Sequence, residues 1–198
     1  MTDRPRIGPL PEPERTEVQR DLLAPVLAGP GPKATNLYAT LVRHPRLFHR
    51  WEALGGTLLF RGELPARHRE ILILRTARNT GSDYEWGQHV RLGTEAGLRA
   101  EEIERCAADG GWADDDEAAP LVAAADELHA GSTVGDATWE RLAARYDDAQ
   151  LIEIVAVVGY YHQAAFLLNA LGVQREPGVV ALPADQRGPG KPSPSGTG

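Results

Sequence analysis

Cysteine is almost missing from this chain: Cys106 is the only one in 198 residues. A single thiol forms no intrachain disulfide, no Cys-x-x-Cys redox pair and no multi-cysteine metal site. Long hydrophobic runs are missing too. The longest strongly apolar stretch, LIEIVAVVGYY at 151–161, contains Glu153 and is too short to span a bilayer. The N-terminus, MTDRPRIGPLPEPER, carries charges and prolines where a secretion signal needs an apolar core. There is no basic tract, zinc-knuckle spacing or Arg/Lys stripe interleaved with aromatics. The formal net charge of −7 opposes nonspecific binding to nucleic acid or anionic lipid. These absences predict a cytoplasmic protein whose partner is a small molecule, with neither nucleic acid nor membrane involved.

What is present reads as one helical domain. The length suits a single packed unit, and a hydrophobic share of 42% suffices for its core. Residues 1–15 are rich in Pro and charge, and 173–198 are poor in core material and end in QRGPGKPSPSGTG. Both are read as flexible segments around a folded part at 16–172. Helical segments flank Pro45, and Leu47, Trp51, Leu54 and Leu58 repeat at three- and four-residue steps, the stripe of a packed helix. Trp51, Trp112 and Trp139 are read as core anchors. Pro65 and Gly81 punctuate the next helix, and Gly97 breaks the one after it. Asp147 with Gln150 predicts a capping box for a last helix that Gly172 stops. The apolar runs ILIL and IVAVV sit among Ala, Arg and Gln, which favours buried helix over strand. The expectation is an all-α, single-domain fold of seven or eight helices.

Candidate chemistry centres on SDYEWGQH. Ser82 and Glu85 have the spacing of a capping box, on which account Glu85 merely starts a helix and pairs with His89 at i,i+4. However, Ser82, Glu85, His89 and Gly93 fall on one helical face bordered by Trp86 and Val90. A glutamate beside a histidine orients one ring nitrogen and raises the proton affinity of the other, giving an acid or base able to act near neutrality. Arg75 and Arg78 are candidates for binding a substrate carboxylate. Tyr160, Tyr161 and His162 interrupt an apolar helix, and a buried Tyr or His needs a polar partner, so they are candidates for lining a pocket. The remaining histidines show no metal-ligand spacing, and no metal or organic cofactor is expected.

The stretch REILILRTARNTGSDYEWGQHVRLGTEAGLRAEEIE, with ARYDDAQLIEIVAVVGYYHQAAFLLNALGV near the end, resembles the carboxymuconolactone decarboxylase and alkylhydroperoxidase D superfamily over roughly residues 40 to 173. The resemblance implies that superfamily's all-helical fold. The peroxidase-type branch carries a glutamate, a Cys-x-x-Cys pair and a histidine four residues after the second cysteine. Anchored on His89, those cysteine positions fall on Ser82 and Glu85, and the upstream glutamate falls on Glu70. Thiolate attack and disulfide formation need sulfur, which Ser82 and Glu85 do not supply. The decarboxylase branch likewise has a glutamate four before its histidine.

By that resemblance the chain is expected to be a cofactor-independent lyase or isomerase acting on a small carboxylated lactone or related acid. His89 would move the proton, Glu85 would set its tautomer, Glu70 would be a second acid/base or hydrogen-bond partner, and Tyr84 would stabilise an oxyanion. The alternatives are a hydroperoxidase-like oxidoreductase, which the missing thiols oppose, and a noncatalytic small-ligand-binding member of the fold. The resemblance also implies a homo-oligomer, a trimer or hexamer.

Overall fold

The computed structural model describes residues 4–28, 34–110, 112 and 115–183. Within them lie nine α-helices and no strand, after a short 3-10 turn at Glu12–Glu14. The helices are α1 (Glu17–Leu27), α2 (Thr35–Leu41), α3 (Pro45–Phe60), α4 (Ala66–Thr80), α5 (Asp83–Glu95), α6 (Ala100–Ala107), α7 (Ala118–Gly131), α8 (Asp136–Ala143) and α9 (Asp148–Leu171). The architecture is therefore all-α, with more helices than the seven or eight expected, because α2, α6 and α8 are only seven or eight residues long.

The helix α4 is the hub. It packs against α5, α6, α7 and α9. Ile71, Leu72, Ile73 and Leu74 are all buried, so this helix is apolar around most of its circumference because neighbours cover it on every side. Pro65 precedes its first residue, where a missing N–H costs nothing. At the other end Gly81 takes the left-handed conformation, φ 56°, and the Ser82 N–H donates to Ala77 O at 2.8 Å. That is a Schellman-type ending. It turns the chain at once into α5, which runs back along α4. At Gly93 a Cβ would come within 3.0 Å of the Leu98 side chain, but would stand at ordinary contact distance, 3.4 and 3.8 Å, from Leu74 and Glu70 of α4.

The long helix α9 lies across α3, α4, α5, α7 and α8. Asp147 and Gln150 form the expected capping box, and Gly172 ends the helix at φ 68°. At 24 residues it is the one described helix long and apolar enough, by length and composition, to cross a membrane. Its inner face is buried against these five neighbours, which accounts for part of that apolarity. On α3, Trp51 and Leu58 are buried, whereas Leu47 and Leu54 are half exposed, so only part of the expected stripe is covered by this chain. Trp112 is buried, but Trp139 is 42% exposed and anchors no core.

Packed structure continues on both sides of 16–172. Leu10 is buried and its N–H donates to Ala39 O, while Val173 and Leu182 are also buried. The segment 173–183 crosses α2 and α5 as a strap. The rest of the segment read as flexible, residues 184–198, lies outside the described residues, as do residues 1–3.

Candidate active site

Antiparallel approach of α4 and α5 brings Glu70 against His89. The Glu70 carboxylate lies 2.7 Å from His89 Nδ1, and both groups are buried. A carboxylate accepts, so Nδ1 carries the proton and Nε2 is left as the free base of the ring. Glu85, one helical turn before His89, approaches that second nitrogen from 3.5 Å. Glu70, not Glu85, is thus the carboxyl within hydrogen-bond distance of Nδ1, and Glu85 lies beside Nε2.

Glu85 pays for its position. Burial pushes its carboxyl up to about 7, an effect that His89 opposes and the Glu70 charge reinforces. Near neutrality this side chain is therefore poised between acid and carboxylate. Its burial also explains why the capping box fails. Ser82 occupies the N-cap position of α5, but its hydroxyl makes no capping bond and is buried without a partner, because Glu85 faces the interior instead of reaching back.

Glu85 and His89 face a cavity of about 370 Å³, and Glu70 lies behind them. Tyr38, Trp51, Phe60, Tyr84, Tyr160 and Tyr161 contribute aromatic side chains to its wall. Tyr161 meets the His89 ring edge-to-face at a centroid distance of 4.8 Å, fixing the plane of the imidazole from α9. Tyr160 stacks on Trp51 at 5.0 Å and donates to Trp51 O at 3.3 Å. This stacking needs Gly55, since a Cβ there would come within 2.1 Å of the Tyr160 hydroxyl.

Several expected site residues lie elsewhere. Arg75 makes a bidentate pair with Asp126, at 2.7 and 2.8 Å, and donates to the carbonyls of Cys106 and Ala108. Arg78 pairs with Asp109 and donates to Ala107 O. Both guanidiniums hold α4 to α6 and α7 and are not at the cavity. His162 faces away as well: it bonds Val158 O through Nδ1 and His129 through Nε2. Trp86 lines a separate apolar cavity between α5, α6 and the strap. Tyr84 does line the main cavity, but its hydroxyl donates to Glu176 at 2.7 Å and accepts from Leu37 N at 3.3 Å. In this arrangement its hydroxyl proton is directed to Glu176.

Other lining residues gave little or no sequence signal of a role here. Tyr38 stands alone on the short α2. Arg91, which pairs with Glu95 at 2.7 Å, follows His89 by only two residues and so lies off the Glu85–His89 face. Trp51 looked like plain core. Glu176 receives the Asn36 N–H, the Tyr84 hydroxyl and the Gln88 amide, and so ties α2 to α5, but it lies in a stretch with the composition of a tail. Among the described residues no three of His, Cys, Asp and Glu are gathered as a metal set.

Residues 45–127 match the model of the carboxymuconolactone decarboxylase family. No curated protein matches the chain. Among solved structures, it is similar to an alkylhydroperoxidase AhpD core, an uncharacterized peroxidase-related protein from Ralstonia eutropha JMP134. The TM-score is 0.71 and the identity 20%, over 86% of this chain and 93% of that one. It is also similar to an uncharacterized peroxidase-related protein from Silicibacter sp. TM1040, with a TM-score of 0.67 and 16% identity over 89% of this chain and 92% of that one. A third similar structure is the debrominase Bmp8, with a TM-score of 0.66 and 15% identity over 86% of this chain and 92% of that one. At these identities the likeness is one of fold.

Proposed function

We propose, from the match of residues 45–127 to the carboxymuconolactone decarboxylase family and the lack of paired cysteines, that this chain is a cytoplasmic, cofactor-independent lyase or isomerase that moves a proton on a small carboxylated lactone or related acid. The observation that carries the reading is the Glu70–His89–Glu85 arrangement at an aromatic cavity. A held imidazole and a carboxyl poised near neutrality make a base and an acid within one site.

In the isomerase form, Nε2 of His89 takes a proton from carbon next to a carbonyl. The C–H electron pair moves into a dienolate, and Glu85 returns a proton to the distal carbon. In the lyase form, the bond to the carboxylate breaks with its electron pair entering the same dienolate. Carbon dioxide leaves, and the carbon is protonated from the acid. After isomerisation, proton exchange between Nε2 and the Glu85 carboxyl resets the site; after decarboxylation, which consumes a proton, the acid is reprotonated from solvent. Thiol chemistry has no comparable support. Cys106 is buried on α6, its thiol is pushed up to about 12 chiefly by burial, and it does not line the cavity.

The test is turnover of γ-carboxymuconolactone by the purified chain, followed for carbon dioxide and product. His89→Ala should cost at least about 10²-fold in kcat while keeping the helical spectrum. Wild-type kcat in that variant would remove His89 from the mechanism. No turnover by the wild type would move the assignment to another small substrate or to a binding role.

A further inference from the structure

Four of the five tyrosines surround one carboxyl. Tyr38, Tyr84, Tyr160 and Tyr161 all line the cavity that Glu85 faces. Burial first, with the Glu85 charge adding in every case, holds their hydroxyls in the protonated, hydrogen-donating form; Tyr38 is pushed up to about 12. Two of the four hydroxyls are spent on the fold, Tyr84 on Glu176 and Tyr160 on Trp51 O. The other two are not. Neither the Tyr38 nor the Tyr161 hydroxyl donates a hydrogen bond to any described residue.

Those two side chains are nevertheless fixed in place. The Tyr38 ring meets Phe48 edge-to-face at 6.0 Å, on the side of α2 that packs against α3. The Tyr161 ring is held edge-to-face on His89 and packs against Tyr160 at 5.3 Å. Neither hydroxyl is among the fully buried atoms left without a partner, so each is open to the cavity and can donate to whatever is bound there. Donors anchored by packing on the wall of a cavity that a base also lines are suited to stabilising developing negative charge.

We propose that Tyr38 and Tyr161 form a two-donor oxyanion site, and that the cavity takes substrates whose reacting intermediate is a planar, delocalised oxyanion of the enolate or dienolate class. The catalytic part of this inference rests on the proton-transfer reading above. When His89 Nε2 removes the proton from carbon, the C–H electron pair spreads to the carbonyl oxygen, which accepts from both phenols. Neither phenol gives up its proton. The task expected of Tyr84 therefore falls to its neighbours, and substrate choice follows from the oxygen on which the charge comes to rest.

A stable oxyanion tests the site without turnover. The probe is 4-nitrophenol, whose anion absorbs in the visible, with 4-nitroanisole as the same ring lacking an ionisable oxygen. Titration of the full chain across neutrality should find the bound phenol ionising at lower pH than the free phenol. Tyr38→Phe and Tyr161→Phe should each reduce the preference for phenolate by about tenfold and leave 4-nitroanisole affinity unchanged. On a substrate that turns over, each variant should lose about 10²-fold in kcat with little change in KM. Failure of the wild type to bind the phenolate would overturn the proposal. So would undiminished phenolate preference in both variants with intact helical spectra. Phenolate binding through both tyrosines without any lactone turnover would instead overturn the lactone chemistry and leave the oxyanion site standing.

Discussion

The central physical fact at the scale of single residues is a carboxyl the fold keeps from ionising. Glu85 has an ordinary value of 4.5 and is raised to about 7. Below the lower value it is protonated in both the folded and unfolded chains and costs nothing. Between the two values the unfolded chain ionises while the folded chain does not, so folding takes up a proton and stability falls as pH rises. Above about 7 the penalty is fully present, worth roughly 3 kcal/mol from the size of the shift. Glu85→Gln should therefore flatten the stability–pH curve over this interval and be more stable than the wild type above it, although it loses the acid. Urea denaturation at a series of pH values measures this, and parallel curves for the two proteins would refute it. His89, Glu85 and Glu70 were all legible from spacing and resemblance. Which glutamate reaches Nδ1 was not, because that depends on how α5 packs against α4, a contact between residues nineteen apart in sequence. Tyr38 was invisible for a different reason: one tyrosine on a seven-residue helix belongs to no pattern.

Helix ends were the most legible elements. The caps at Asp147 and Gly172 and the left-handed Gly81 follow from local chemistry, and local chemistry is what a sequence displays. The strap failed to register because its stabilisation is almost entirely non-local. Residues 173–183 bury few large side chains, yet Glu176 gathers hydrogen bonds from α2 and α5, the elements that carry Tyr38, Glu85 and His89. Its far end presses on α5 at Gly87, where a Cβ would come within 2.3 Å of Val179 and 2.4 Å of Val180 O. Alanine inside a helix normally gains up to about 1 kcal/mol over glycine. At Gly87 the sign should reverse. Gly87→Ala should lose about 1–3 kcal/mol through the clash with the strap, and hydrogen exchange should rise in 173–183 before it rises in α4. A stabilised Gly87→Ala protein would mean that the strap does not bear on α5 in solution.

At the scale of the whole molecule, apolar faces of two helices are left uncovered by the described residues. Along α9, Ile152, Val155 and Phe166 are 71%, 40% and 63% exposed, and their spacing puts them on one stripe of the outer surface. The inner face of the same helix lies in the core, so the apolar circumference that would suit a fully enclosed helix is only half used. Leu47 and Leu54 on α3, which share a stripe with the buried Trp51 and Leu58, repeat the pattern. Sequence periodicity showed which residues are apolar, but it carries no information on whether the chain itself or a second copy covers them. Contiguous exposed apolar surface of this kind favours association, at about 25 cal/mol per Å² removed from water. We therefore expect a homo-oligomer, trimeric or hexameric, with the outer stripe of α9 in its interface. Light scattering on the wild type should give the mass of three or six chains, and the double variant Ile152→Glu, Phe166→Glu should move it towards one chain without loss of helical signal. A monomeric wild type across micromolar concentrations would remove the assembly. An oligomer indifferent to both glutamates would move the interface off α9, and the exposed leucines of α3 would be the next face to charge.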